Sequence, residues 1–486
     1  GQGGFQEVEQ MNLFKDMVCY QEEVRDPSRM AEVLNRVIEK AFRGSAPAQI
    51  NVPRDYWTQV IDIDLPPIVR FERQGGGKTA IDEAAKILSE SKFPVILSGA
   101  GVVIGNAIED CKKLAEKLDA PVCNGYQHND SFPGNHPLAV GPLGYNGSKA
   151  AMELISKADV VLALGTRLNP FSTLPGYGID YWPKNATIIQ VDMNPDRIGL
   201  TKKVTVGICG DAKMVSQQIL EKLSPEAGNN GREDRKNLIH QTKSSWLQTL
   251  TSLDHEDDDP GTVWNKEARE RDSDRMSPRQ AWRAIQAGMP EDVIISSDIG
   301  NNCAIGNAYP TFEKGRKYLA PGLFGPCGYG FPSILGAKIG CPDTPVIGFA
   351  GDGAFGISMN EMSSCAREEW PAITMVIFRN YQWGAEKRNS ILWFDDNFIG
   401  TELDPELSYA KVANACGLKG VTVRSMEETT KAIKQSCEDQ KKGITTFIEV
   451  ILNQELGEPF RRDAMKKPVR VAGIKKNDMK HQKGIN

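Results

Sequence analysis

Apolar and polar positions recur along this chain in two rhythms, and the change from one to the other marks out its elements. Between positions 29 and 43, Met30, Val33, Leu34, Val37, Ile38 and Ala41 fall at the spacing of one helical face, which predicts a helix. Residues 48–53 then read as a strand, closed by Pro53-Arg54-Asp55. Further on, the pattern predicts strand 94–97, helix 107–118, strands 160–164 and 187–191, and a helix near 214–223. A third set opens with helix 278–287 and strand 293–296 and continues with the apolar runs 345–350 and 373–378, which read as two more strands. Strands alternating with helices argue for an α/β chain of open parallel sheets with helices covering them.

Stretches without either rhythm separate these sets. Residues 65–78 carry Pro and Gly and read as a linker. Within them Gly75-Gly76-Gly77-Lys78-Thr79 invites a phosphate-loop reading, but Glu72 stands where that motif needs its first glycine, so the linker reading is kept. Residues 224–276 are polar, with the acidic run Glu256-Asp257-Asp258-Asp259 and a mixed run at 266–275, and read as a solvated connector that carries helix. Gly99-Ala100-Gly101, after strand 94–97, matches a dinucleotide fingerprint only in part, because Ile104 occupies the third glycine position. Asp192, closing strand 187–191, could contact a ribose or cap a turn.

The length of 486 residues suggests three domains at about 150 residues each. A net charge of -5 gives no electrostatic case for nucleic acid or an anionic membrane, so small-molecule chemistry is expected. Ten cysteines without a Cys-x-x-Cys pair and five histidines without zinc spacing leave a disulfide frame or metal cluster unsupported, and a reducing cytoplasm fits best. There is no apolar run of about 18 residues and no basic-then-apolar leader, which predicts a soluble, unexported protein. The opening Gly1-Gln2-Gly3-Gly4-Phe5-Gln6 has no initiator methionine and enters patterned sequence at once, so a preceding segment is expected.

Candidate chemistry concentrates at the ends of the last two predicted strands. Asp352, in Gly351-Asp352-Gly353, follows run 345–350, and Asn380 follows run 373–378. Each strand end would offer one oxygen ligand, and a main-chain carbonyl at Gln382 could complete the protein's share. Magnesium takes about six oxygens, usually few from protein and several from phosphates and water, so such a set leaves the ion able to hold a diphosphate. The flanking glycines allow close backbone approach, and residues 354–369, if helical, would aim amides at the same anion.

This Gly-Asp-Gly to Asn arrangement resembles the signature of the thiamine-diphosphate enzymes. The chain is similar to their acetohydroxyacid synthase and pyruvate oxidase branch and, through 367–403 with Trp383 and Trp393, more closely to the sulfoacetaldehyde acetyltransferases. The resemblance implies three parallel-sheet domains, the first incomplete: residues 1–65 as the second half of a pyrimidine-binding domain, 79–225 as a central nucleotide-binding-like domain, 226–275 as connector, 276–456 as the diphosphate and Mg2+ domain, and 457–486 as tail or lid. It implies thiamine diphosphate and Mg2+ as cofactors, with the metal on Asp352, Asn380 and Gln382. Further cofactor contacts implied are Ile299, Gly300, Asn301 and Asn302, similar to a first diphosphate turn, then Gly325, Cys327, Gly351, Gly353, Ala354, Ile357 and Gly384. Cys327 stands where the family usually has a methionine wedge, and either fills that role or is simply a buried cysteine.

Catalytic candidates implied are Gln6, in a loop similar to one that reaches the active site, Cys327, and Arg461 and Arg462 in a segment similar to the terminal lid. Lys387 and Arg388 are further cations for an anionic substrate, with a solvated helix face as the alternative. The activating glutamate of the family is assigned to none of Glu7, Glu9, Glu22 or Glu23, since it would lie upstream. The implied reaction is sulfoacetaldehyde plus phosphate giving acetyl phosphate and sulfite by way of an acetyl group carried on the cofactor, in taurine and sulfonate degradation, by a homodimer or homotetramer. A pyruvate-decarboxylating carboligase and a non-catalytic paralogue are the alternatives. Whether the central domain binds a flavin, another adenine nucleotide or nothing stays open.

Overall fold

A computed structural model describes residues 2–67, 72–252, 262–322, 324–393 and 397–456. It divides into two compact units, Gly1–Arg73 and Gln74–Asn486. In the first, β1 (Tyr20–Glu23) and β2 (Ala48–Asn51) pair in parallel and are joined by the helix Met30–Gly44. Val33 and Val37 of that helix bury against Val24, while Leu34, Ile38 and Phe42 stand exposed on its other side. The predicted helix is therefore present, and its apolar face is divided between core and surface.

The second unit contains two six-stranded parallel sheets. One holds β3 (Pro94–Ser98), β4 (Val122–Asn124), β5 (Ala139–Pro142), β6 (Val160–Leu164), β7 (Thr187–Asp192) and β8 (Val206–Cys209) in the order β5-β4-β3-β6-β7-β8. Its topology reverses between β3 and β6, the place where such folds open a crevice for nucleotides. There two backbones cross closely: a Cβ added at Gly101 would lie 2.7 Å from Gly165 Cα, and one at Gly99 would lie 2.6 Å from Gly165 O. The fingerprint glycines thus serve a backbone-to-backbone crossing. Asp192 accepts from the Asn194 amide at 2.9 Å and caps its turn.

The other sheet holds β9 (Ile294–Ser297), β10 (Tyr318–Leu319), β11 (Val346–Gly351), β12 (Thr374–Arg379), β13 (Lys419–Val423) and β14 (Thr446–Ile451), ordered β10-β9-β11-β12-β14-β13. Alternate residues of one strand serve opposite cores. Val376 and Phe378 face the layer containing Trp282 and Ile433, whereas Met375 and Ile377 face Phe331, Phe355 and Tyr409. Both faces are covered, so the strands read as continuous apolar runs. The helix Pro278–Gly288 begins in a capping box, with Ser277 and Gln280 satisfying each other's backbone amides.

The polar connector is more than solvated surface. Its helix Arg232–Thr251 buries Arg235, which donates to the carbonyls of Asp119, Leu118 and Gly228 beside the first sheet, and sends Trp246 and Leu250 into the core of the second. The acidic run at 256–259 lies outside the described residues. A second tie joins the sheets directly: Asn129 donates to Asn307 O and Pro310 O at 2.8 and 2.9 Å, and Asp130 accepts from the Lys317 amide at 2.9 Å.

Candidate functional site

The topology of the second sheet reverses between β9 and β11, and three turns converge there at the carboxyl ends of β9, β11 and β12. The first turn is organised by Asp298. Its Oδ1 accepts from the amides of Ile299 (2.8 Å) and Gly328 (3.1 Å), and its Oδ2 from Gly330 (2.7 Å), so one buried carboxylate joins 298–302 to 325–330. Burial raises its pKa against the opposing pull of those amides. Gly330 is required at this junction, because a Cβ there would lie 2.7 Å from Phe349 O and 3.0 Å from Asp298 N. Gly300 takes φ +124, a conformation that glycine adopts without strain, and turns the chain into the short helix Asn301–Ile305.

Asp352 begins the second turn and is fully buried. Its Oδ2 accepts from Arg379 Nη1 at 3.0 Å and from the Tyr381 amide at 2.7 Å, while Oδ1 accepts from the Gly353 amide at 3.0 Å. Burial pushes the carboxyl up to about 6 despite the attraction of Arg379 and these hydrogen bonds. Arg379 ends β12 and is itself buried. It donates to Leu407 O at 3.0 Å and to Asp404 O, lies 3.8 Å from Glu449 Oε1, and stacks over the Tyr381 ring at 4.2 Å. Tyr409 closes the cluster by donating to Asp352 O at 2.9 Å. The helix expected over 354–369 instead starts at Asp352 and stops at Ser358, then breaks into Met359–Glu361 and Met362–Cys365.

The third turn brings amides together. A Cβ built on Gly384 would find Asn301 Nδ2 at 3.4 Å, Gln382 Nε2 at 3.7 Å and Asn380 Nδ2 at 3.8 Å, so three carboxamides surround one glycine. Gln382 donates to Gln454 O at 3.0 Å, and Trp383 donates its amide to Thr401 O at 2.8 Å. The Trp383 ring lies over Gly353, where a Cβ would meet it at 2.8 Å.

These turns enclose a cavity of about 230 Å³. Of the residues expected at the site, 299–302, Gly325, Cys327, 351–354, Asn380, Gln382 and Gly384 all line it. Ile357 does not: it is 57% exposed, at the far end of the helix Asp352–Ser358, and packs over Gly328. Gln6 stands exposed in the first unit, outside the lining, and Arg461 and Arg462 lie outside the described residues. Lys387 and Arg388, for which a solvated helix face was the alternative, are buried; Lys387 pairs with Glu402, and the Arg388 guanidinium lies 5.4 Å from the Tyr145 ring. The cover comes from distant segments, which periodicity within one helix cannot reveal. Arg379 and Glu386 were not anticipated, although an arginine closing an apolar strand beside Asn380 was a signal available for the first; Asp298 and Trp383 lay in stretches singled out by resemblance, but without the roles they take here.

A cation with a diphosphate fits this donor set. Among the described residues no group of three or more His, Cys, Asp or Glu side chains could hold a metal, so a cation would lean on amide oxygens and on the phosphates of a ligand. Gln382 Oε1 and Asn302 Oδ1 are buried without a hydrogen-bond partner, leaving acceptors unused at the site. The Cys327 thiol is held up by burial and by the fields of Asp298 and Glu386, so it stays protonated and acts as a small soft surface.

Comparison with known proteins agrees with this geometry. The family model described as thiamine pyrophosphate enzyme, central domain, matches residues 81–223, and that of the C-terminal TPP binding domain matches 298–450. The chain is 78% identical to a probable sulfoacetaldehyde acetyltransferase of Rhizobium meliloti (strain 1021), covering 99% of this chain and 82% of the relative. Against the sulfoacetaldehyde acetyltransferase of Roseovarius nubinhibens the identity is 73%, over 99% of this chain and 80% of the relative. An acetolactate synthase large subunit of Corynebacterium glutamicum is more distant, 26% identical over 100% of this chain and 74% of its own. Among solved structures, the benzoylformate decarboxylase from Polynucleobacter necessarius superposes with TM-score 0.72 at 21% identity, covering 92% of this chain and 78% of that one, and shows the shared fold.

Proposed function

Because this chain belongs to the thiamine pyrophosphate enzymes, grouped with the sulfoacetaldehyde acetyltransferases, we propose that it converts sulfoacetaldehyde and phosphate into acetyl phosphate and sulfite. The observation that carries the reading is identity of 67–78% over nearly the whole chain with three relatives of that name, joined to a cavity lined by the expected turns. When bound, thiamine diphosphate supplies a nucleophilic carbon that adds to the aldehyde and holds electrons while the carbon–sulfur bond breaks.

The protein's part is placement. Asp352, Asn380 and the main-chain carbonyl of Gln382 would hold Mg2+ on the diphosphate, with 299–302 and Gly353 giving the phosphates close backbone approach. Arg379 orients Asp352 through a buried, hydrogen-bonded ion pair and opposes the burial that raises its pKa. Cys327 would support the cofactor rings. Residues 1–65 are assigned as half of a pyrimidine-binding domain, 79–225 as the central domain, 226–275 as the connector, 276–456 as the diphosphate domain and 457–486 as the tail or lid; Gln6, Arg461 and Arg462 are carried with them as substrate contacts. The assembly is proposed to be a homodimer or homotetramer in the cytoplasm, in taurine and sulfonate degradation. All ten cysteines are free thiols, which supports a reducing compartment, and no described helix is long and apolar enough to cross a membrane.

One assay decides between the reactions. The enzyme loaded with thiamine diphosphate and Mg2+ is expected to release sulfite and acetyl phosphate in equal amounts from sulfoacetaldehyde. Acetolactate from pyruvate, with neither of those products from sulfoacetaldehyde, would reject the proposal.

A further inference from the structure

We propose that Glu386 is the acid–base residue of this reaction. The inference rests on the reaction proposed above. Among the described residues two carboxylates line the cavity, Asp352 and Glu386. Asp352 is engaged by Arg379 and by the amides of Tyr381 and Gly353, and is assigned above to the cation, so it is already committed. Glu386 sits on the helix Gly384–Trp393, whose first residues Gly384 and Ala385 also line the cavity. It is exposed at the cavity mouth, and among the described residues its carboxylate has no hydrogen-bond or ion-pair partner. The lining thiols, Cys303 and Cys327, both have raised pKa values, so neither competes as a base near neutral pH. A carboxylate open to the cavity and uncommitted elsewhere suits proton transfer to and from a bound two-carbon fragment.

The chemistry requires such a group twice. The aldehyde carbon of sulfoacetaldehyde carries one hydrogen, which would have to leave as a proton once thiamine diphosphate supplied the electron sink. Glu386 takes that hydrogen as a proton, and the electron pair of the broken C–H bond then drives cleavage of the neighbouring C–S bond. Sulfite departs with the pair of that bond. The carboxyl group of Glu386 then gives its proton to the CH2 carbon left behind, while the hydroxyl proton leaves to solvent as the carbonyl forms. The carboxylate is regenerated, and no oxidant or reductant is consumed.

Glu386→Gln and Glu386→Asp test the assignment. With the glutamine variant, kcat for acetyl phosphate is expected to fall by roughly 100-fold or more, the scale of general acid–base catalysis. Thiamine diphosphate affinity, read by calorimetry on the unloaded protein, should stay within about threefold of the parent. The aspartate variant should keep part of the activity, and formate should restore some to the glutamine variant. Sulfoacetaldehyde deuterated at the aldehyde carbon should give a larger isotope effect with Glu386→Asp than with the parent. A glutamine variant with kcat within about threefold, or one whose loss of activity merely follows loss of cofactor affinity, would overturn the role. A parent enzyme that makes no acetyl phosphate would instead remove the reaction on which the role rests.

Discussion

What a buried carboxylate meets decides what it can do, and this molecule offers three outcomes. Asp298 is held by three amides, Asp352 by a guanidinium and two amides, and Glu455 by the Asn453 carboxamide at 2.7 Å within a nearly solvent-free site. For Glu455 burial outweighs that hydrogen bond and the attraction of Arg269 and Arg279, pushing it up to about 7. An unfolded glutamate titrates near 4.3. Between those values the folded chain keeps a proton that the unfolded chain has released, so this residue's contribution to stability falls as pH rises through the window, with the penalty complete above about pH 7. Glu455→Gln is expected to remove that slope. Urea unfolding should find the variant more stable than the parent by about 3–4 kcal/mol near pH 8 and nearly equal near pH 4. An equal offset at both pH values would contradict the assignment.

At the scale of elements, the crossing of 99–101 with Gly165 is a tight constraint on the first sheet. Backbone meets backbone there, so neither side can yield by turning a side chain. Gly101→Ala should destabilise the protein by about 1–3 kcal/mol or more, read as a lower denaturant midpoint, even though alanine is the better helix former. Strand β11 and the turn after it were legible because a long apolar run ended at glycines, and the same holds for β12 and Asn380. Strands β4, β5 and β8 went unread: three or four residues each, they carry too few positions to show a period. The helix Lys78–Glu90 also went unread although its signal was present, with Ile81, Ala84, Ala85 and Leu88 on one face. Arg379 was harder to see. Its partners are Asp352, just past the end of β11, and Glu449 in β14, and only the parallel register of β11, β12 and β14 brings them beside it.

Considered as a whole, the second unit has its cavity at the meeting of three turns, so a ligand that bridges them should stabilise all of it. Thiamine diphosphate with Mg2+ at about 100 times its dissociation constant would add about 2.7 kcal/mol. The expected thermal shift should vanish when the protein is stripped with a chelator and the cofactor is returned without a divalent cation. A shift that survives chelation would show that the diphosphate is held without metal.

The cluster around Arg379 carries a consequence for how the protein comes apart. Tyr409, which donates to Asp352 O, gives its own amide to Glu449 Oε1 at 3.1 Å, and Ser408 Oγ donates to Glu449 Oε2 at 2.7 Å. A chain of contacts therefore runs from the turn after β11, through β12, to a strand two places from it in the sheet. Amide hydrogens at Gly353 and Tyr381 should consequently exchange with water at rates set by the same opening event as those of β14, and not by local fraying of their loops. The pocket and the far strands melt as one cooperative block, which gives a site made of turns the rigidity of a sheet interior.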